Sequence, residues 1–328
     1  MKKQSLTQRF LAAEWSSLLI VALIMMAIMT IITPRFLNFD NQAILTRSLA
    51  PLLIVAFAQA IVIGIGQMNL AVGAIGGMVA VFFGGMMEVW GLPIPVAIGI
   101  GLLCGLAAGV LNGAVIAYSG INGFIVTLAT LSIFKGLNLG VTKSIPFYEM
   151  PQALQWFGEA RVGPFAMILI VPVICVVALA WFLKYSLAGR QILAVGGNAH
   201  AAGLAGISVN RVTIMAHAIS GALAGIAGML SVARLGVGQP TIGGDWLLAS
   251  FAAPVIGGAI LLGGHIPVIG TILGVLVIIL IENLLVLYGV DPQYNEFFVG
   301  ALILLAVGFN HWRSLRAEAA YKLQEGQA

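Results

Sequence analysis

The sequence predicts an all-α integral membrane protein of about ten transmembrane helices, some short or broken, arranged as an inverted repeat of two halves. Three observations carry that prediction. Of 328 residues, 61% are hydrophobic and only 8% are charged, whereas soluble domains run near ~25% charged. Apolar runs approaching the ~20 residues that a helix needs to cross a bilayer recur along the chain. There are also 41 glycines, well above the ~7% usual share. In a membrane, glycine lets helices approach closely and tolerates broken helices where they line a cavity. A single polytopic domain over residues 1–328 is therefore expected.

The elements follow in order. A basic start, M-K-K-Q-S-L-T-Q-R-F, precedes an apolar run from Trp15 to Ile32. The run is long for a signal-peptide core and no A-x-A site follows it, so it reads as a retained span that Thr33–Pro34 ends. Further spans are predicted at 48–66, 70–87, 93–118, 122–140 and 165–183. After a polar central stretch come 212–234, 246–262, 266–288 and 296–310. Polar or glycine-rich interruptions at Gln67–Asn69, Ser119–Asn122 and Gly263–His265 suit broken or partly spanning helices.

Charge tests the count. Ten spans put both ends on one side, with Lys2, Lys3, Arg9, Lys184, Arg190, Arg211, Arg313, Arg316 and Lys322, nine of the fifteen basic residues. The opposite loops hold Arg35, Arg47, Lys143, Arg161 and Arg234, together with most of the acids. The positive-inside rule then places both termini and the 184–211 loop in the cytoplasm, and the 141–164 loop outside. The outer loop carries P-F-Y-E-M-P-Q-A-L-Q-W-F, which fits a short interfacial helix; its aromatic residues serve equally as interface anchors or as a docking surface. A weak internal echo links 105–129 with 270–290, two segments that run in opposite directions in this topology, as an inverted repeat requires.

The central stretch, Lys184 to Arg211, has three basic residues and no acid. Asn198 can cap a short helix over Ala199 to Ala205, and Gly206 suits the position after its end. Gly196–Gly197 and Gly206 would hold that helix in the loop. An Ala- and Gly-covered helix offers a low-relief surface on which another protein can dock; a plain connection is the rival reading. Elsewhere, polar groups inside apolar spans are costly and often mark a pathway. The candidates for lining one are Asn69, Asn112, Thr127, Thr130 and Asn283, with helix–helix hydrogen bonding as the alternative role. Lys135 and Glu282 are the costliest, Lys135 being able to snorkel to an interface.

Several chemistries find no support. Walker A, H-E-x-x-H and G-x-S-x-G motifs are missing, so a pump built on this chain needs its energy from another subunit. Cys104 and Cys175 fall in apolar segments and four scattered histidines lack ligand spacing, so no metal, disulfide or cofactor is expected. The net charge of +4 comes from membrane-flanking lysines and arginines and is no sign of nucleic-acid binding.

Four stretches carry a resemblance: G-R-Q-I-L-A-V-G-G-N-A-H-A-A-G-L-A-G-I-S-V (189–209), N-L-A-V-G (69–73), N-G-F-I-V-T-L-A-T-L-S-I-F-K-G-L (122–137) and V-I-G-G-A-I-L-L-G-G-H-I-P-V-I-G-T-I-L-G (255–274). With them nearly the whole chain resembles the permease subunits of bacterial binding-protein-dependent ABC importers, in the branch serving ribose, xylose, arabinose and related sugars. The family commonly has D-L-S-V-G where Asn69 and Ala71 stand here, and often a charge near Ala199 or Gly203, both small here.

The resemblance implies a pore-forming subunit in the bacterial inner membrane that performs no covalent chemistry. Its partners would be a second permease chain, ABC ATPase subunits and an extracytoplasmic sugar-binding protein. Gly196, Gly197, Asn198, Ala201, Ala202 and Gly206 would form the element coupling it to the ATPase. Import of branched-chain amino acids or nucleosides, and a stand-alone secondary transporter, are the competing readings.

Overall fold

The computed structural model describes residues 15–291, 294–301, 304–305 and 308. The first helix, α1 (Ser16–Ile32), ends at Thr33 as expected. The second, α2 (Phe39–Ile63), begins nine residues before the predicted span at 48. Its first turn is polar and therefore invisible to hydropathy. Asn38 caps it by accepting from the Asp40 amide, and Asn41 and Gln42 donate to the Phe36 carbonyl at 3.0 and 2.7 Å. Next come α3 (Val72–Glu88), α4 (Ile94–Ser119) and α5 (Gly123–Thr142).

The 141–164 stretch contains a short helix, α6 (Gln152–Glu159), at the position expected of an interfacial one. A two-residue antiparallel pair, β1 (Arg161–Val162) with β2 (Phe165–Ala166), follows and leads into α7 (Ile170–Tyr185). The central stretch forms α8 (Leu187–Gly197) and α9 (Ala199–Leu204). The remaining named helices are α10 (Val209–Leu235), α11 (Trp246–Ile256) and α12 (Val268–Leu287), and residues 295–301 are again helical.

Among the described residues, α2, α4, α5, α7 with its preceding turn, α10 and α12 are long and apolar enough to cross a membrane. Three shorter apolar helices, α1, α3 and α11, accompany them. The span expected at 296–310 lies partly outside the described residues, as do Lys2, Lys3, Arg9, Arg313, Arg316 and Lys322. The span expected at 246–262 is corrected: α11 stops at Ile256, and its 11 residues reach only about 16 Å at ~1.5 Å per residue. The cause is local. Gly258 has φ +96°, outside the helical range, and the Gly257 backbone lies directly against Gly270.

The two central helices are α2 and α10. Every residue of α2 from Ala50 to Ile63 is buried. Helix α10 packs on α2, α3 and α4, while α2 packs in turn on α10, α11 and α12. Much of α4, α5 and α7 presents apolar side chains outward, as a bilayer or a second chain requires.

Close approach holds the centre together. Gly101, Gly105, Gly109 and Gly113 recur every fourth residue, one stripe of α4, and meet α10 there. A Cβ at Gly105 would sit 2.6 Å from the Gly221 carbonyl oxygen, and one at Gly109 would strike the His217 carbonyl. The two backbones are thus in direct contact, which side chains would prevent. The loops after the two central helices also correspond. Gly64-Ile65-Gly66-Gln67 follows α2 and Gly236-Val237-Gly238-Gln239 follows α10, and the same offset carries Ile94-Pro95-Val96 onto Ile266-Pro267-Val268.

Candidate functional site

The α8–α9 segment is built from capping chemistry. The Ser186 hydroxyl accepts from the Gly189 amide at 2.8 Å and starts α8. Asn198 breaks the helix with an extended backbone (φ −162°, ψ 103°), and its side-chain oxygen accepts from the Ala201 amide at 2.9 Å to start α9. The end of α9 is closed by two bonds, Gly206 amide to Gly203 carbonyl and Ile207 amide to Ala202 carbonyl, both 3.0 Å. That pattern needs a left-handed residue at Gly206, whose φ is +84°. The cap, the helix and its terminating glycine fall where the sequence predicts them. What sequence reasoning missed is α8 itself, because Gly189, Gly196 and Gly197 lower helix propensity.

The six residues of this element divide by exposure. Gly197, Asn198, Ala201 and Gly206 are exposed, Gly196 is half-buried and Ala202 is buried. Leu204, which the sequence reading did not single out, is 80% exposed on α9. Behind it, Gly196 is locked. A Cβ there would strike the Gly64 carbonyl and the Gly264 amide, and the Gly264 amide itself donates to the Gly64 carbonyl at 3.0 Å. The end of α8, just ahead of α9, therefore touches the loop after α2 and the non-helical stretch before α12 together.

Asn69, Asn112, Thr127, Thr130 and Asn283 are all buried. The Asn69 amide donates to the Ser220 hydroxyl at 3.0 Å, while its oxygen accepts from the Ala71 amide at 3.0 Å. Thr127 donates to the Gly123 carbonyl at 2.7 Å and Thr130 to the Thr127 carbonyl at 3.3 Å. Asn283 and Asn41 exchange two amide hydrogen bonds, 3.1 and 2.9 Å. Asn112 is fully buried and neither its amide nitrogen nor its oxygen finds a partner among the described residues. Lys135 lies on the exposed side of α5. His217, not singled out in the sequence, is also fully buried and its Nε2 bonds the Gln67 side-chain oxygen at 3.0 Å.

Two open cavities flank these helices. One, of about 550 Å³, is bordered by Gln67, Met68, Asn122, Phe124, Asn210 and Thr213. The other, of about 360 Å³, lies at the far end of α10 and is bordered by Arg234, Gln239, Thr241, Asp245 and Trp246. None of the five pathway candidates lines either one.

Residues 42–307 match the model of a family described as "Branched-chain amino acid transport system / permease component". The chain belongs to this permease family. Its relatives narrow the resemblance. The permease is 33% identical over 312 residues to the ribose import permease protein of Escherichia coli K12, covering 92% of this chain and 95% of that one. The Bacillus subtilis ribose import permease protein is 36% identical over 286 residues, 87% and 88% of the two chains. An autoinducer 2 import system permease protein of Photorhabdus luminescens is 29% identical over 298 residues, 89% and 88%. No solved structure matches the permease. The family and the apolar helices together make it a multi-pass membrane protein.

Proposed function

We propose that this chain is the pore-forming subunit of an ATP-driven sugar importer, coupled to a separate ATPase through α9. The observation that carries the proposal is the exposed, capped α9, joined through Asn198 to the end of α8, where Gly196 is wedged against two loops of the bundle. Force applied to Ala201 and Leu204 would pass through Gly196 to the Gly64–Gln67 loop and to the stretch before α12. Two such chains, or this one and a close relative, would enclose the path. An extracytoplasmic binding protein would deliver the sugar.

An inverted repeat would suit this mechanism. The shared offset of the two G-x-G-Q loops and the reciprocal packing of α2 and α10 are what two oppositely directed halves would give. On that reading α2, α3 and α4 correspond to α10, α11 and α12. The tenth span, 296–310, would correspond to α5. Rocking one half against the other would open the cavity beside Gln67 and the one beside Gln239 alternately. Asn69, Asn112, Thr127, Thr130 and Asn283 enter this scheme as parts of the moving wall, with Asn69 bonded to Ser220 of α10 and Asn283 to Asn41 of α2.

Co-purification is the direct test. The tagged chain extracted from membranes is expected to bring an ABC ATPase with it. Replacing Gly197 and Ala201 by tryptophan should abolish ATP-dependent uptake and leave membrane insertion intact. Unchanged uptake in that variant would remove the coupling role. Uptake by vesicles lacking ATP and the ATPase would favour a secondary transporter instead.

A further inference from the structure

A third cavity lies at the end of the bundle that carries α6. It holds about 440 Å³, and every side chain that lines it is apolar. Helix α4 supplies one wall through Ile94, Ile98 and Leu102, which recur every fourth residue and so share one stripe of the helix. Helix α10 supplies the floor through Ile226, Met229, Leu230 and Ala233, and Phe157 of α6 closes the roof. Val171 of α7 stands on the remaining side.

Backbone contacts fix these walls. A Cβ at Gly158 of α6 would strike the Ala233 carbonyl, so α6 is seated directly on the end of α10. A Cβ at Gly101 of α4 would sit 2.7 Å from the Met229 sulfur, and Gly105, one turn on, already meets the Gly221 carbonyl. The cavity is thus set by glycine contacts on two sides and is not a gap between loosely held helices.

Size and chemistry choose the occupant. Water finds no polar side chain to bond there, and apolar cavities do not hold it. Helices α4 and α7 border the cavity and present apolar side chains outward, with Leu103 63% and Ile174 61% exposed. Both helices are long and apolar enough to cross a membrane, α7 with its preceding turn, so the surroundings on this side are acyl chains. From Ile94 to Leu102 the wall is about 12 Å deep at ~1.5 Å per residue. One leaflet's hydrocarbon is about 15 Å thick. A volume of about 440 Å³ over that depth gives a mean cross-section of about 37 Å². A helix about 10 Å across needs about 80 Å². A helix of a second chain is therefore too wide to enter, whereas an extended hydrocarbon chain fits.

We propose that this cavity binds an acyl chain of a membrane lipid, held between α4, α6 and α10 in the leaflet on the α6 side. The site does not depend on what the permease carries. The bound chain bears on Met229 and Leu230, beside the first glycine of the α4 stripe, and so props the junction of α4 with a central helix.

The test uses the full chain with its natural partner subunits, reconstituted in vesicles of phosphatidylethanolamine and phosphatidylglycerol. A small share of the lipid carries a diazirine in mid-chain, and adducts are mapped by mass spectrometry after illumination. Bulk lipid is expected to label outward residues such as Val173 and Val177 of α7, 50% and 62% exposed. A chain in the site should also label Met229 and Leu230, which at 7% and 6% exposed are closed to bulk lipid. Ala153 of α6 and Ile98 of α4 line the cavity and are exposed, so both tolerate a larger side chain without loss of the fold. Ala153→Trp, and separately Ile98→Trp, should lower α10 labelling by about tenfold, the loss of roughly two buried methylenes, with α7 labelling unchanged.

Labelling of α7 without α10 would overturn the site, as would α10 labelling that neither substitution lowers. In a chain with Cys104 and Cys175 replaced by serine, a disulfide joining two chains through Ala153→Cys would assign this face to a second copy and overturn the site as well.

Discussion

Gly196 and Gly197 adjoin in sequence and meet opposite surroundings. A Cβ at Gly196 would strike two backbones, whereas one at Gly197 would find nothing within 4 Å. Gly196→Ala is therefore expected to lower the yield of folded protein in detergent, and Gly197→Ala to leave it unchanged. Size-exclusion chromatography of the two variants decides the matter. Asn112 makes a second contrast. Its buried amide has no partner among the described residues, so Asn112→Leu removes an unmet polar group and keeps similar bulk. The melting temperature should rise, by the equivalent of about 1–3 kcal/mol. If the same variant transports more slowly, Asn112 finds its partner in another state of the cycle. Neither contrast was legible in the sequence. One glycine letter looks like another, and a buried asparagine looks alike whether paired or orphaned.

At the scale of elements, the sequence read the short α9 correctly because its signals are local: a capping asparagine, a run of small residues and a terminating glycine. Asn198→Ala removes that cap and should cost about 1 kcal/mol of local stability. The effect should appear as faster hydrogen exchange across Ala199–Leu204, with the rest of the bundle unaffected. The start of α2 and the end of α11 were read wrongly for a different reason. What fixes them is the bonding of Asn41 and Gln42 to Phe36 and the contact of Gly257 with Gly270, which hydropathy does not register. The α4 stripe shows the same division. Its four glycines were visible as composition, but their partner helix was not. Gly109→Leu is expected to disrupt the contact with α10 and prevent folding. Gly136→Leu on α5, where a Cβ meets nothing within 4 Å, should be tolerated. Expression and thermal stability of the pair measure the difference.

The whole molecule turns on which end faces the cytoplasm. Helices α6 and α9 belong to opposite ends if α7 crosses the bilayer, since α7 lies between them and is long and apolar enough with its preceding turn. Basic residues Lys184, Arg190 and Arg211 flank α8 and α9 without a nearby acid in sequence, whereas at the α6 end Arg161 is paired with Asp40, and Glu88, Glu149 and Glu159 add further acids. The positive-inside rule predicts that α9 faces the cytoplasm, where an ATPase could reach it. Single cysteines report this directly. Trp156 is 62% exposed on α6, and His200 is exposed on α9. In a chain with Cys104 and Cys175 replaced by serine, Trp156→Cys is expected to react with an impermeant maleimide in intact cells. His200→Cys should react only after the membrane is opened, and less once the ATPase is bound. Labelling of His200→Cys in intact cells would put α9 outside. No cytoplasmic engine could then drive the bundle through it, whatever the family relationship suggests.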